Sequence, residues 1–229
     1  MTNRPVALVT GATRGIGRAI AVELSSTHRI LVGGRDAVRA GELVAELDDA
    51  APFVCDLADE DAVAAACAGI GRLDVLVHSA GIGRSNDIGL AARALWREVF
   101  ETNVFAVADL TRLLLPALEA ARGIVVAINS GAGFFSSPGG GVYAGSKFAL
   151  RALTDALREE MRGKVRVCSI HPGRTDTDMQ RELQAAMGNE HYDGARYVAP
   201  ESVAAAVRLV VDTPDNATVE QLSIRPSVF

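Results

Sequence analysis

Short runs of apolar, mostly β-branched residues recur along the chain and predict successive strands of a parallel sheet. The run Ile124–Ile128 is apolar at every position, which is typical of a strand buried on both faces. Comparable runs predict strands at residues 6–9, 29–33, 53–55, 73–77, 124–128, 165–170 and 219–224. The last of these is followed by Pro226, and we expect it to be an edge strand.

Between these runs, apolar residues recur at helical spacing. Helices are predicted up to Leu24, at 37–47, at 59–68, at 91–100 with 102–121 as one long or twice-broken helix, up to Met161, and at 202–211. This alternation predicts an α/β fold: a Rossmann-type doubly wound, mostly parallel seven-stranded sheet with helices on both faces, a three-layer sandwich. We expect residues 1–229 to form one domain, with the polar segment 178–199 as a mobile lid over the substrate.

Composition narrows the range of functions. The chain has 229 residues, 49% of them hydrophobic, and a net charge of −5, which argues against a nucleic-acid or anionic-membrane surface. No apolar run approaches the roughly 20 residues of a membrane span, and no secretory hydrophobic region follows the first residues. The three cysteines include no Cys-x-x-Cys pair, which predicts buried reduced thiols. We therefore expect a cytoplasmic protein without a bound metal.

The stretch from Gly123 to Lys147 carries the candidate chemistry. Ser130 follows the strand 124–128, and Tyr143 and Lys147 are four residues apart on one face of the next helix. A phenol must lose about three pKa units, or about 4 kcal/mol, to act as an acid and base near neutral pH. An ammonium at ~4 Å supplies about that much at an effective dielectric constant of ~20. Alternatively, Tyr143 and Lys147 are a solvated surface pair on an ordinary helix.

A glycine-rich turn, Thr10 to Gly17, connects the first strand to the first helix. In a dinucleotide site, Gly11 would permit the tight turn, Gly15 would let backbone approach a pyrophosphate, and Gly17 would allow close helix packing. Free N–H groups at the start of the helix would then favour a phosphate. A purely structural turn is the alternative.

Two arginines indicate which dinucleotide would bind. An NAD enzyme places an acid at the end of the second strand, where this chain has Gly34 and then Arg35. Arg14 lies inside the glycine turn, and two converging guanidiniums suit a ribose 2′-phosphate. We therefore favour NADP(H) over NAD(H). Alternatively, Asp36 only caps the next helix and Arg35 is solvated.

The chain resembles the short-chain dehydrogenase/reductase family, of the NADP-preferring type. The resemblance rests on Ser130 with Tyr143-x-x-x-Lys147 and on Thr-Gly-x-x-x-Gly-Ile-Gly from Thr10 to Gly17. It extends to the helix around Asn103 and to Pro172-Gly173 with Thr177. It implies four catalytic residues: Ser130, Tyr143, Lys147 and Asn103. It implies cofactor contacts from Gly11, Thr13, Arg14, Gly15, Ile16, Gly17, Arg35, Asp56, Leu57, Ala80, Gly81, Asn103, Tyr143, Lys147, Pro172, Gly173, Thr175 and Thr177.

The resemblance also assigns roles to the catalytic residues. Tyr143 exchanges a proton with the substrate oxygen, Ser130 hydrogen-bonds that oxygen, and Lys147 lowers the pKa of Tyr143 and holds the nicotinamide ribose. Asn103 supports the proton relay by holding a water that passes protons to Lys147. The chain departs from the family at His78-Ser79, where the usual run has two asparagines. We expect His78 to be a hydrogen-bonded core histidine, and His171 to be structural.

The implied function is interconversion of a carbonyl and a secondary alcohol on a small, apolar substrate. Beside Ser130 and Tyr143, the substrate would contact Phe134, Phe135, Met179 and Leu183, with Met187 and Tyr192 as further candidates for its wall. The alternatives are an epimerase or dehydratase on the same fold and a non-catalytic NADP(H)-binding regulatory protein. The family further suggests a homodimer or homotetramer assembled through the helices of Asn103 and Tyr143.

Overall fold

The computed structural model describes residues 4–186, 188–189 and 191–227. The strands in these ranges are β1 (Val6–Val9), β2 (Arg29–Gly34), β3 (Ala50–Val54), β4 (Val75–His78), β5 (Ile124–Ile128), β6 (Arg166–Pro172) and β7 (Gln221–Ile224). The helices are α1 (Gly15–Ser25), α2 (Ala37–Glu46), α3 (Glu60–Cys67), α4 (Arg93–Phe100), α5 (Ala106–Ala121), α6 (Gly141–Glu160), α7 (Asp178–Ala186) and α8 (Pro200–Val211). The predicted alternation of strands and helices is confirmed.

One seven-stranded sheet contains all the described strands, in the order β3-β2-β1-β4-β5-β6-β7. Every neighbouring pair is parallel, so the sheet predicted as mostly parallel is parallel throughout its described strands. The strand order reverses between β1 and β4. In doubly wound sheets the ligand site lies at the carboxyl ends of the strands beside such a reversal.

A hydrophobic core covers each face of the sheet, which confirms the three-layer arrangement. Val9 of β1 packs on one face with side chains of α1, α2 and α8, such as Ile20 and Val207. The neighbouring Leu8 points to the other face and packs with side chains of α3 and α5, such as Leu114. This alternation along one apolar strand is why both faces need a helical layer. Cys55, Cys67 and Cys168 are buried and unpaired, as predicted.

Some element boundaries differ from those predicted. Strand β3 begins at Ala50, earlier than the apolar run, because its first residues pair with Ile30 and Leu31 of β2. Its Pro52 is tolerated because β3 lies at the edge of the sheet. Strand β4 is shifted towards His78, and β6 continues through Pro172 because its last residues pair with β7.

The long helical region before β5 is interrupted once. A single π-helical turn, Glu101–Phe105, joins α4 to α5 without ending the helix. Of the two predicted forms, one long helix is therefore correct, and this helix contains a π-bulge. Such bulges are rare and occur frequently at functional sites, and Asn103 lies in this one.

The segment predicted as a lid contains regular structure. Helix α7 occupies the first half of the segment. Near the end of the segment, Val198 forms a β-bridge with Thr175, which lies just before the segment begins. The sequence pattern did not predict this helix because the segment is mostly polar and shows little apolar periodicity. Tyr192 stacks on Tyr197 with 4.9 Å between ring centroids, and Met187 lies outside the described residues. Within the described ranges, no helix is long and apolar enough to cross a membrane.

Candidate active site

The glycine-rich turn brings β1 against the loop that follows β4. Gly11 has a φ of +63°, and a Cβ built on it would lie 2.8 Å from the Cα of Ala80. A Cβ on Gly17 would collide with the carbonyl oxygen of Gly11. The hydroxyl of Thr10 accepts hydrogen bonds from the amides of Ser79 and Ala80, each at 3.1 Å. The two loops therefore meet backbone to backbone, and no larger residue fits between them.

A cleft of about 260 Å³ lies at the carboxyl ends of β1 to β4. The first residues of helix α1 line it, and the side chain of the N-cap residue, Arg14, makes no capping hydrogen bond to the first amides of that helix. A helix start with free N–H groups is suited to a phosphate. The predicted cofactor residues that line the cleft are Gly11, Thr13, Arg14, Gly15, Ile16, Gly17, Arg35, Asp56, Leu57, Ala80, Gly81 and Thr177.

Arg14 and Arg35 both line this cleft. Within the described part of the chain, neither guanidinium has a carboxylate partner. Asp36 accepts hydrogen bonds from the amides of Val38 and Arg39 and thereby caps α2. The capping role considered for Asp36 is therefore correct, and it leaves the two arginines unneutralised beside the cleft.

Ser130 and Tyr143 lie together at the end of β5. Ser130 caps a 3₁₀ turn, Gly131–Gly133, and its hydroxyl accepts a hydrogen bond from the amide of Ala132 at 3.1 Å. The Ser130 hydroxyl lies close enough to the Tyr143 phenol to favour its ionised form. Burial raises the pKa of Tyr143 above its usual value, and the Ser130 hydroxyl opposes that rise. The phenol is therefore held protonated, next to a second hydroxyl.

Lys147 lies one turn further along α6 and is 5% exposed. Its Nζ donates a hydrogen bond to the carbonyl oxygen of Ile128 at 3.0 Å and lies 5.7 Å from the centroid of the Tyr143 ring. Burial lowers the pKa of Lys147 to about 8. The expectation that Lys147 depresses the pKa of Tyr143 is therefore not met by the protein's own groups, because burial raises this pKa and the opposing influence comes from Ser130.

Asn103 connects the π turn to the other site elements. Its Oδ1 accepts from the amide of Ile82 at 2.9 Å, while its Nδ2 donates to the Ile82 carbonyl oxygen and to Ser146 Oγ, each at 3.0 Å. Ser146 Oγ in turn donates to the Tyr143 carbonyl oxygen at 2.7 Å. The amide of Asn103 thus braces the loop after β4 against the first turns of α6, and both of its N–H groups are used.

Gly81 lies between the cleft and the candidate catalytic residues. It lines the cleft, and a Cβ built on it would lie 3.2 Å from Asn103 Oδ1 and 4.0 Å from Lys147 Nζ. Asn103 and Lys147 therefore lie directly behind Gly81, next to the cleft, and the ring of Tyr143 is near Lys147. Any side chain at Gly81 would separate the two parts of the site.

Not every predicted cofactor residue faces the cleft. The amide of Gly173 donates to the Ile224 carbonyl oxygen at 2.7 Å, and Pro172 ends β6. Thr175 is buried, and its hydroxyl donates to the Gly173 carbonyl oxygen at 3.1 Å. These three residues shape the turn after β6, while Thr177 reaches the cleft and lies against Gly15.

The residues predicted to contact substrate are divided between two environments. Met179 lines the cleft, and Leu183 is half-buried on the same helix, α7. The Phe134 ring lies 4.4 Å from the ring of His171, tilted by 44°, and its centroid lies 4.5 Å from the guanidinium carbon of Arg151. Phe135, beside it, is 62% exposed. The structure thus gives Phe134 contacts under the Ser130 turn that the sequence did not predict.

Tyr192, also considered for the substrate wall, is bonded within its own segment. Its hydroxyl donates to Asp176 Oδ1 at 2.9 Å, and the guanidinium of Arg181 lies 5.7 Å from its ring centroid. Burial and the bond to Asp176 raise the pKa of Tyr192 to about 12. Tyr192 therefore connects the second half of the segment to Asp176, next to the β-bridge between Thr175 and Val198.

His78 lies at the end of β4, within the core. Its Nε2 donates to Thr111 Oγ1 at 2.9 Å, and the Thr111 hydroxyl donates onward to the Val107 carbonyl oxygen at 2.7 Å. Burial lowers the pKa of His78 to about 4, so the ring is neutral at neutral pH. The interpretation of His78 as a hydrogen-bonded core histidine is confirmed.

Sequence reasoning missed three supporting groups: the Thr10 hydroxyl, the Ser146 hydroxyl and the Ile128 carbonyl oxygen. Thr10 ends the first strand, which is a position from which a side chain can reach the neighbouring strand end. Ser146 sits directly before Lys147, inside a helix where a serine is locally unfavourable. Those two signals were available, but the role of the Ile128 carbonyl oxygen depends on how α6 packs on β5.

Comparisons with known proteins agree with this geometry. A family model described as short chain dehydrogenase matches residues 5–188. Serine 3-dehydrogenase of Agrobacterium fabrum is 34% identical over an alignment 236 residues long, which covers 96% of this chain and 92% of that enzyme. An alcohol dehydrogenase structure from the archaeon Thermococcus sibiricus, complexed with 5-hydroxy-NADP, has a TM-score of 0.89 at 26% identity and covers 98% of this chain and 97% of its own. The closed form of serine dehydrogenase complexed with NADP+ has a TM-score of 0.88 at 27% identity, with 96% and 94% covered.

Proposed function

Because the chain belongs to the short-chain dehydrogenase family, we propose that it is an NADP(H)-dependent oxidoreductase that interconverts a carbonyl and a secondary alcohol. One observation carries the proposal: the neighbouring hydroxyls of Ser130 and Tyr143 lie close to Lys147, and Gly81 lies between Lys147 and the cleft at the carboxyl ends of β1 to β4. A binding module alone has no need of a protonated phenol at that junction.

The residues of the cleft fit the proposed cofactor. The uncapped start of α1 at Gly15 offers free amides to a pyrophosphate. Arg14 and Arg35 are available for a ribose 2′-phosphate, since Asp36 is engaged in capping α2 and Gly34 stands where an NAD enzyme has an acid. The complexes of two similar structures with 5-hydroxy-NADP and NADP+ support the same choice.

Each catalytic side chain has a separate task. Bound NADPH supplies a hydride to the carbonyl carbon of the substrate. Tyr143, whose raised pKa keeps it protonated, donates its proton to the carbonyl oxygen, and the Ser130 hydroxyl holds that oxygen in place. Hydride plus proton convert the carbonyl to the alcohol, and in the reverse direction Tyr143 accepts the proton. Lys147 holds the nicotinamide ribose and supplies positive charge near the phenolate.

We propose a small substrate with an apolar body. Met179 and Leu183 of α7 would cover it from one side, and Phe135 is free to contact it from the turn after Ser130. The name of the Agrobacterium enzyme, serine 3-dehydrogenase, suggests small hydroxy acids as a first group to test. Residues 178–199 would act as the lid over this pocket.

We also propose a homodimer or homotetramer assembled through the helices of Asn103 and Tyr143. Phe105 and Phe148 support it, since these large apolar side chains on the two helical regions are 53% and 44% exposed. Exposed aromatic side chains are typical of surfaces that associate.

The first test is a fluorescence titration of the protein with NADPH and with NADH. We expect NADPH to bind more tightly and Arg35→Asp to reverse the preference. Arg162→Asp is the matched control, because it makes the same change of charge at an exposed position after α6, outside the cleft. Equal affinities for both nucleotides in both variants would remove the 2′-phosphate assignment.

The second test is a screen of small carbonyl compounds with NADPH, with Tyr143→Phe as the control. Turnover that Tyr143→Phe abolishes, with NADPH affinity retained, supports the reductase. Tight NADPH binding without turnover of any compound would instead favour the non-catalytic, NADP(H)-binding regulatory protein.

A further inference from the structure

His171, at the carboxyl end of β6, is in direct contact with the backbone of Ser130. The residue is fully buried, and its ring Nδ1 lies 3.0 Å from the Ser130 carbonyl oxygen. A carbonyl oxygen only accepts hydrogen bonds, so Nδ1 must carry the proton of this bond. No catalytic or cofactor role assigned above uses this ring.

Neighbouring side chains fix the position of the ring. The ring of Phe134 lies 4.4 Å from it, tilted by 44°, and the Arg151 guanidinium lies on Phe134. The backbone of His171 is held as well, because Arg225 donates to its carbonyl oxygen at 2.6 Å. The ring therefore has little freedom to leave the Ser130 carbonyl oxygen.

The charge state of the ring follows from its surroundings. In the described part of the chain, Nε2 is buried without a hydrogen-bond partner. A proton on Nε2 would therefore be a buried donor with no acceptor. Burial lowers the pKa of His171, as do the nearby Arg151 and Arg225, while the bond to Ser130 and the charge of Asp155 act in the opposite direction. The ring is neutral at neutral pH and protonated on Nδ1.

The bond has a direct consequence for the hydroxyl of Ser130. The Ser130 carbonyl oxygen accepts from His171 and also from the amide of Gly133 at 3.0 Å. The hydroxyl of the same residue accepts a hydrogen bond from the amide of Ala132 and lies close to the Tyr143 phenol. Fixing the carbonyl therefore fixes the peptide plane from which the hydroxyl is presented.

We propose that His171 is a positioning residue for Ser130: its Nδ1–H fixes the Ser130 carbonyl, and so aims the serine hydroxyl at the oxygen of a carbonyl substrate. The inference rests on the proposed reductase function. His171 is not among the residues that line the cleft, so we expect its bond to Ser130 to be its route to catalysis.

Two amide substitutions separate the donor from the bulk of the ring. The amide of His171→Asn places an N–H near the position of Nδ1, whereas the longer amide of His171→Gln places it near Nε2. We expect His171→Asn to keep kcat within about twofold of the wild type, and His171→Gln to lose about tenfold, the scale of one hydrogen bond. NADPH affinity and the KM for the carbonyl substrate should change by less than about twofold in both.

Two further measurements do not depend on turnover. Amide exchange at Ala132 and Gly133, which both donate to Ser130, should be faster in His171→Gln than in His171→Asn or the wild type. Nitrogen-15 NMR of the wild-type ring should show a protonated Nδ1 and a bare Nε2 at neutral pH.

Equal kcat and equal amide exchange in the two variants would overturn the proposal, as would a proton on Nε2. If the wild type reduces no carbonyl while NADPH binds, the proposed function fails. In that case, unchanged exchange would overturn the positioning of Ser130, and faster exchange in His171→Gln would uphold it.

Discussion

The ammonium of Lys147 donates a hydrogen bond to the carbonyl oxygen of Ile128 at 3.0 Å. This bond ties the face of α6 that carries Tyr143 and Lys147 to the last residue of β5, two positions before Ser130. It also keeps a cation in a buried position, where desolvation lowers its pKa to about 8. The site therefore carries an electrostatic cost that a protein selected only for stability would avoid.

Replacing Lys147 should separate stability from activity. We expect Lys147→Met to reduce carbonyl turnover by at least about 100-fold, through loss of the charge beside Tyr143. The free energy of unfolding at pH 7 should be equal to or above that of the wild type, because relief of desolvation exceeds the roughly 1 kcal/mol of the lost hydrogen bond. Urea denaturation and steady-state kinetics measure the two effects.

The pH dependence of that stability gives a further check on the same variant. The folded-state pKa of Lys147 lies below its usual 10.5, so the folded protein releases this proton first as pH rises through about 8. The wild type therefore gains stability relative to Lys147→Met between about pH 8 and 10.5. A difference between the two proteins that stays constant over that range would contradict the lowered pKa.

Carbonyl reduction should lose rate in the alkaline range. Burial keeps Tyr143 protonated, so the proton donor is present at neutral pH, whereas Lys147 loses its charge above about pH 8. With saturating NADPH, we expect kcat to be flat from about pH 6 to 7 and to fall above about pH 8. Alcohol oxidation should instead accelerate with pH, since it needs the phenolate. A reduction rate that rises with pH would exclude Tyr143 as the donor.

We expect a carboxylate in place of the Asn103 side-chain amide to destabilise the protein. In Asn103→Asp, one oxygen would still accept from the Ile82 amide, but the other would face the Ile82 carbonyl oxygen and Ser146 Oγ. The Ser146 hydroxyl already donates to the Tyr143 carbonyl oxygen, so neither neighbour can donate to the carboxylate without breaking that bond. We expect a loss of about 1–3 kcal/mol of unfolding free energy, together with lower activity. Ser146→Ala should cost less, because Asn103 keeps its two bonds to Ile82; an Asp variant as stable as the wild type would refute this account.

Two glycines in helices should respond oppositely to alanine. A Cβ at Gly17 would strike the Gly11 carbonyl oxygen, so Gly17→Ala should distort the glycine turn and abolish NADPH binding. At Gly41, inside α2, a Cβ has no atom within 4 Å, and Gly41→Ala should stabilise the protein by about 0.5–1 kcal/mol. Thermal denaturation and nucleotide titration of both variants test the pair. Normal NADPH affinity in Gly17→Ala would show that the turn can adapt.

His78 should contribute to acid sensitivity. Its pKa is about 4 in the folded protein and 6.5 in a model peptide, so the unfolded chain binds an additional proton between those values. The wild type should therefore lose about 3 kcal/mol relative to His78→Gln as pH falls from 6.5 to 4. The Gln amide can keep the bond to Thr111 without taking up a proton. Parallel stability curves for the two proteins would mean that His78 is not desolvated.

Much of this protein was predictable because the relevant signals are local. Apolar runs and helical periodicity predicted the seven strands and the alternation of layers, because the repeat of a strand or helix is set by its own residues. The repeat of an α-helix alone predicts that Tyr143 and Lys147, four residues apart, lie on the same face of α6. The glycine turn is recognisable since a tight strand-to-helix turn requires glycine at fixed offsets.

What the sequence left open depends on partners that are distant in the chain. Sequence alone could not decide that the π turn presents Asn103 to both Ile82 and Ser146, or that the Phe134 ring lies against the His171 ring. Each of these contacts depends on strand register and on how a helix lies on the sheet, which no local periodicity encodes. The bond between His171 and the Ser130 carbonyl exists only because β5 and β6 end side by side, and tertiary structure alone decides that.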